Sequence, residues 1–80
     1  MVFTNHAREA LVFRKISEQE TKQAINKPDF RKLSRGDTEI LYRRFGDRYL
    51  KVVVRAGIKM VTVITEYWIE KERAQKEARE

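Results

Sequence analysis

The hydrophobic pattern changes its period about halfway along the chain. In the first part, Ala7, Ala10 and Leu11 recur three and four positions apart, which is the spacing of one helix face. From Thr38 onward apolar and polar residues alternate, and this alternation is typical of strands with one buried face. The order therefore predicts an α+β fold in which the helices precede the strands.

Two helices are predicted before the strands. The first covers Asn5–Lys15. Ser17 and Glu20 match a capping box, in which the serine accepts from the third helical amide and the glutamate reaches back to the serine amide. The second helix therefore begins after Ser17, and it must end by Asn26, because the residue before Pro28 is driven away from helical geometry.

Three strands and a third helix follow a polar connector, 26–37. The predicted strands are Thr38–Phe45, Arg48–Ala56 and Ile58–Tyr67. Gly46 and Asp47 between the first two strands suit a two-residue hairpin turn of type II′. The charged segment Trp68–Glu80 is predicted to be a helix.

These elements predict one domain of the α+β class, with two N-terminal helices packed on a three- or four-stranded antiparallel sheet and a charged C-terminal helix. We expect the domain to span residues 1–68 and the helix to extend from it over residues 69–80. Trp68 is expected at the root of that helix. Beyond Ile69 the extension has only Ala74 and Ala78 as apolar residues, so it is expected to add little stability.

Charge changes the picture from a generic domain to a candidate binder of polyanions. The chain has 18 Lys and Arg against 12 Asp and Glu, a net charge of +6. The last fifteen residues hold five acids and four bases, so the first 65 carry 14 bases and 7 acids. A cationic body attracts nucleic acid, although excess lysine and arginine is also common on solvated surfaces.

Composition excludes several kinds of site. The chain has no cysteine and one histidine, which excludes disulfides and thiolate catalysis and makes a metal centre improbable. It lacks the glycine-rich motifs that hold nucleotides, so no cofactor is expected. No apolar run is long enough to span a membrane and no signal-peptide pattern is present, so we expect no membrane partner and a cytoplasmic protein.

Cleavage of RNA without a metal fits the remaining residue types. RNA supplies its own 2′-hydroxyl nucleophile, so the protein needs only proton transfer and cations that stabilise the developing charge. His6 suits proton transfer and Arg14 suits a phosphate clamp. A lone histidine in a first helical turn is, however, more often a surface or packing residue, and strand arginines are more often simply solvated.

Six cations between positions 31 and 55 are the expected RNA-binding residues. They are Arg31, Lys32, Arg43, Arg44, Arg48 and Arg55. Contacts between these side chains and phosphates would release counterions, so we expect RNA binding that weakens as salt rises.

The opening segment resembles a widespread family of small prokaryotic proteins known only as a domain of unknown function. The resemblance lies in the pattern H-A-x-E-x-x-x-x-R-x-I-S, at His6, Ala7, Glu9, Arg14, Ile16 and Ser17. Further similar segments are Asn26–Asp29, Tyr49–Val54 and the closing V-I-T-x-Y at Val63–Tyr67. The similarity covers nearly the whole chain to about Trp68, and the motifs are specific jointly more than singly.

Such proteins are similar in layout to RelE-like and BrnT-like toxins, which are metal-independent ribonucleases of α+β build. The resemblance implies a site at His6, Arg14, Thr65 and Tyr67, RNA (free or ribosome-bound) as substrate, and an antitoxin as inhibitor. Many relatives carry a second arginine where this chain has Ala10. The alternative functions are a non-catalytic basic module that binds RNA or a partner protein, and a structural homodimer.

Overall fold

The sheet contains five strands and carries helices on both faces. The computed structural model describes all 80 residues. Its elements are β1 (Val2–Phe3), α1 (Asn5–Phe13), α2 (Glu18–Asn26), β2 (Phe30–Leu33), β3 (Thr38–Phe45), β4 (Arg48–Ala56), β5 (Val61–Glu70) and α3 (Lys71–Ala78). The α+β class is confirmed.

The strand order is β1-β5-β4-β3-β2. Strands β2 to β5 pair antiparallel, whereas β1 pairs parallel with β5 through Val2 and Phe3. The sheet is therefore mixed and larger than the three or four antiparallel strands predicted. The expected connector contains β2, in which Phe30 pairs with Tyr42. Strands of two and four residues are too short to be recognised from the alternation of apolar and polar residues. Here they are defined by their pairing with neighbouring strands.

Strand β5 also extends further than predicted. It begins at Val61 instead of Ile58 and continues to Glu70, so residue 68, the expected end of the domain, lies inside the strand. Trp68 does not lie at the root of α3. Its ring packs edge-on against Phe45 at 5.8 Å between centroids. The charges of the segment that begins at Trp68 suggested a helix. The first side chains of that segment instead alternate between the two faces of the sheet.

Local signals explain where the N-terminal helices begin and end. Thr4 caps α1 by accepting from the Ala7 amide at 3.0 Å. The helix ends before Lys15, which has a left-handed φ of 54°. The capping box is confirmed: the Ser17 amide donates to Glu20 Oε1 at 3.0 Å, and the Glu20 amide donates to Ser17 Oγ at 2.9 Å.

Two separate clusters of apolar residues cover the faces of the sheet. On the face under α1 and α2, here called the α1/α2 face, the buried residues are Phe3, Ala7, Ile16, Ala24, Leu41, Leu50, Val52, Val54 and Val63. On the opposite face, here called the α3 face, Tyr42 and Ile69 of the sheet are buried together with Ala74 of the C-terminal helix. The helix expected to extend from the domain therefore packs on the sheet through Ala74. None of the three helices has the length and the apolar content of a membrane-spanning segment.

Candidate nucleic-acid interface

Arg14 connects the end of α1 to the exposed edge of β5. Its Nη1 donates to Thr65 Oγ1 at 3.3 Å and to the carbonyl oxygen of Glu66 at 2.8 Å. Its guanidinium also lies over the Tyr67 ring, 5.5 Å from the centroid. The structure thus brings together three of the four expected site residues from opposite ends of the chain. The bond to Glu66 also satisfies a carbonyl that β1, paired only to Thr62 and Val63, leaves free.

His6, in the first turn of α1, and Arg14, at its C-terminal end, open onto the same cavity. The two side chains line a shallow cavity of about 130 Å³, together with Glu9, Ala10 and Phe13. Thr65 and Tyr67 do not line this cavity, so Arg14 is the residue that joins the two groups. Ala10 forms part of the cavity wall.

A second cluster of charged groups, on the α3 face, was not predicted from the sequence. Glu77 of α3 accepts a hydrogen bond at Oε1 from Lys51 Nζ at 2.6 Å and another from the Tyr42 hydroxyl. Its Oε2 accepts from Arg73 Nε at 2.8 Å. The Lys51 ammonium lies over the rings of Tyr42 and Tyr67, at 5.6 and 5.4 Å from their centroids. Here this set of groups is called the Glu77 cluster.

Hydrogen bonding outweighs burial in setting the charges of this cluster. Burial alone would raise the pKa of Glu77, but its bonds from Lys51, Tyr42 and Arg73 lower that pKa to about 2. Burial likewise acts to lower the pKa of Lys51, yet the bond to Glu77 leaves it raised. Burial and the neighbouring carboxylate together raise the pKa of the Tyr42 phenol. At neutral pH the cluster therefore holds an ionised carboxylate, an ammonium and a neutral phenol.

One signal for Lys51 was present in the sequence. Alternation along β4 places it on the same face as Tyr49 and Val53, between apolar neighbours, where a cation needs a partner. Its partner, Glu77, is 26 positions away on a helix expected to leave the domain. The sequence alone therefore gives no reason to place these two residues in one site.

Glu66 is a buried acid on the other face of β5. Its side chain has no exposure, and neither carboxylate oxygen has a hydrogen-bond partner. Burial raises the pKa of Glu66 to about 7, against the opposing effect of the Arg14 charge. The Nε1 of Trp68, on the same side of the strand, is also buried without a partner.

The six expected RNA-binding cations lie on both faces of the sheet. Strand register places Lys32, Arg44 and Arg55 on the α3 face and Arg31, Arg43 and Arg48 on the α1/α2 face. Several are engaged within the protein, since Arg31 pairs with Glu39 and Arg55 with Asp37, both at 3.6 Å. The structure does not gather the six into one surface.

Comparison of the chain with protein-family models, with curated proteins and with solved structures finds no match. The geometry of the sites is therefore the basis for the function proposed below.

Proposed function

We propose that this protein is a toxin-type, cytoplasmic ribonuclease that binds RNA and cleaves it without a metal ion. The supporting observation is the position of Arg14, which hydrogen-bonds Thr65, lies over Tyr67 and shares a cavity with His6. A cation that shares a cavity with a histidine and lies over an aromatic ring is a suitable combination for binding a phosphodiester flanked by a nucleobase.

Arg14 retains donors for a phosphate. Both of its hydrogen bonds within the protein come from Nη1, which leaves Nε and Nη2 for a bidentate contact with phosphate oxygens. Because Thr65 and the Glu66 carbonyl hold the guanidinium, less side-chain entropy is lost when a phosphate binds. The clamp is thus oriented before RNA arrives.

The reaction uses the 2′-hydroxyl of the RNA as its nucleophile. A base removes the hydroxyl proton as the oxygen bonds to phosphorus, an acid protonates the departing 5′-oxygen, and the products are a 2′,3′-cyclic phosphate and a 5′-hydroxyl. His6 is the group that removes the 2′-hydroxyl proton in this proposal, and Arg14 stabilises the negative charge on the non-bridging oxygens of the pentacovalent phosphorane. The Tyr67 ring stacks on a nucleobase of the RNA, or its hydroxyl donates the proton to the departing 5′-oxygen.

Cleavage of a long RNA in the presence of EDTA tests the proposal. We expect His6→Ala to reduce the rate by roughly 10²–10⁴-fold, the usual cost of losing a proton-transfer group. Arg14→Lys should also lose activity, because an ammonium cannot form the bidentate contact. Arg8→Ala, on the same helix and outside the cavity, is the matched control. Intact RNA with the wild type, free or on ribosomes, would contradict the cleavage proposal, as would full activity of the His6 variant.

Salt dependence measures how many phosphates the protein contacts. With three cations of one face engaged, a fourfold rise in salt from about 50 to 200 mM should weaken single-stranded RNA binding about 20-fold. Engagement of all six expected cations would weaken it about 300-fold. Because the cations divide between two faces, we expect the smaller response. A response near zero would exclude RNA as the ligand.

The second candidate function is a non-catalytic module that binds a protein partner, such as an antitoxin or a second copy of the chain. It is favoured by Val12 and Phe13, which are 82% and 89% exposed beside the His6 cavity. Adjacent exposed apolar side chains of this kind are typical of interaction surfaces. Light scattering of the wild type and of Phe13→Ser tests the homodimer, because loss of the apolar contact should shift a dimer to monomer.

A further inference from the structure

The sheet holds the Glu77 carboxylate with the same kind of donors that it would use to bind a free anion. Lys51 and Tyr42, which both belong to the sheet, donate to the same oxygen, Oε1. The Lys51 side chain is only 11% exposed, and that of Glu77 14%. An ammonium and a phenol that converge on one oxygen are also suitable donors for a phosphate oxygen.

Apart from Glu77, α3 has few attachments to the sheet. The helix has eight residues, a length at which a helix is marginal in water by itself. Ala74 is its one buried residue, and its N-cap Glu70 makes no side-chain capping bond. A further ion pair, from Lys32 to Glu80, has a separation of 3.9 Å and is largely solvated on the Glu80 side. Docking of α3 therefore depends mainly on the Glu77 cluster.

The surface beneath α3 has the features of a platform for single-stranded RNA. Four aromatic side chains share this face, namely Phe30, Tyr42, Tyr49 and Tyr67. The Phe30 and Tyr42 rings stack at 4.3 Å. The same face also carries Lys32, Arg44 and Arg55. Aromatic rings on a sheet stack with bases while nearby cations contact the backbone, which is a common way of binding single-stranded RNA.

We propose that Lys51 and Tyr42 form a phosphodiester-binding site for single-stranded RNA, and that the Glu77 carboxylate occupies this site until RNA displaces α3. The inference rests on RNA as the ligand of the proposed function, but it concerns a site separate from the His6 cavity. The exchange conserves charge, because one phosphodiester replaces one carboxylate beside Lys51. The displaced Glu77 retains Arg73, its neighbour one turn away on the same helix.

Binding of a fluorescent, short 2′-O-methyl RNA tests this inference, since that RNA lacks the attacking hydroxyl and cannot be cleaved. We expect Glu77→Gln to tighten binding at least about tenfold, as it would if α3 is open in about a tenth or less of wild-type molecules. Glu72→Gln, on the exposed side of the same helix, makes the same charge change and should alter binding less than about twofold. Lys51→Gln in the Glu77→Gln background should abolish the gain.

A second variant releases α3 without changing any charge. Ala74 is fully buried against the sheet, so Ala74→Gln overfills its contact and should likewise tighten RNA binding. Hydrogen exchange of the α3 amides reports release directly and should accelerate in both variants. It also shows that the remaining domain is folded, because the amides of β3 and β4 should stay protected.

The outcomes separate this inference from the proposed function. If the wild type binds RNA and Glu77→Gln binds it no more tightly than Glu72→Gln, the competitor role of Glu77 is refuted and the proposed function stands. If Lys51→Gln leaves the gain intact, Lys51 is not part of the site and the inference is refuted. If no variant binds RNA, both proposals fail. A wild type that binds weakly and a Glu77→Gln variant that binds tightly would support the inference.

Discussion

The buried carboxyl of Glu66 should make the stability of this protein fall as the pH rises through neutrality. Its pKa is raised from an ordinary value of 4.5 to about 7, because burial opposes ionisation more than Arg14 favours it. The native state therefore binds the proton more tightly than the unfolded chain does. The stability contribution of the protonated carboxyl is complete below about pH 4.5, declines as the pH rises, and is lost above about pH 7.

The size of the effect follows from the difference between the two pKa values. At 1.36 kcal/mol per unit, the difference corresponds to about 3 kcal/mol, a large share of the stability of a small domain. Glu66→Gln keeps the shape of the protonated side chain and cannot ionise. We expect it to be nearly neutral at pH 4.5 and to stabilise the protein by about 3 kcal/mol at pH 8, or about 12 to 24 °C in Tm.

Thermal unfolding followed by circular dichroism, at intervals from pH 4.5 to 8, measures this directly. The informative quantity is the difference in Tm between Glu66→Gln and the wild type, because contributions of other groups common to both proteins cancel. Glu72→Gln, an exposed glutamate, is the matched control and should follow the wild type at every pH. Parallel curves for the wild type and Glu66→Gln would refute the reasoning, since they would show that Glu66 ionises normally in the native state.

Three further predictions concern the helices and the core. Ser17→Ala removes the side-chain oxygen that caps α2 in the capping box. It should lower the free energy of unfolding, measured with urea, by about 1 kcal/mol. Leu50→Ala leaves a cavity at a site with no exposure and should cost about 2 to 5 kcal/mol by the same measurement, whereas a smaller loss would mean that the core collapses around it. Because the Glu77 pKa is lowered to about 2, its contribution to stability is present above pH 4.5 and lost toward pH 2, so the protection of the α3 amides, taken relative to the intrinsic exchange rate at each pH, should fall over that range. Unchanged protection would show that the carboxylate does not hold α3.

The parts of the fold that sequence reasoning predicted are those with local causes. The capping box of Ser17 and Glu20 needs only four consecutive residues, and the second helix begins where that motif places it. The two-residue hairpin at Gly46 also agrees, with Phe45 paired to Arg48 and a φ of 70° at the glycine. These local structures can be predicted from sequence because they form without contacts from distant residues.

The parts that were missed depend on pairing between distant segments. Strand β1 has two residues and exists because it lies beside β5, some 60 positions away. Strand β2 forms where Phe30 stacks on Tyr42, although its own sequence reads as a charged connector. The same limit applies to the Glu77 cluster, since alternation gives the face of Lys51 but not the helix that returns to it.

In the candidate site, too, the sequence predicts which face of a strand a residue lies on but not which distant residue it contacts. Alternation places Thr65 and Tyr67 on one face of β5, which the structure confirms. Nothing local indicates that Arg14 reaches them, because α1 is positioned by the parallel pairing of β1 and by the Thr4 hydroxyl, which donates to the Ile64 carbonyl at 3.1 Å. The resemblance to a known family supplied that association instead.

Strand β5 links the two proposals physically, because consecutive residues of it serve opposite faces of the sheet. Glu66 lies under the N-terminal helices, whereas Tyr67 lies next to Arg14 and also beneath the Lys51 ammonium at 5.4 Å. Tyr67 is therefore shared between the edge bound by Arg14 and the surface covered by α3. An RNA strand bound on the surface that α3 had covered would contact the Tyr67 ring there. The same strand could then continue past this ring to the edge of β5 that Arg14 binds. Release of α3 should consequently raise the rate of RNA cleavage as well as the affinity, and an equal cleavage rate in Glu77→Gln and the wild type at subsaturating RNA would show that the two surfaces act independently.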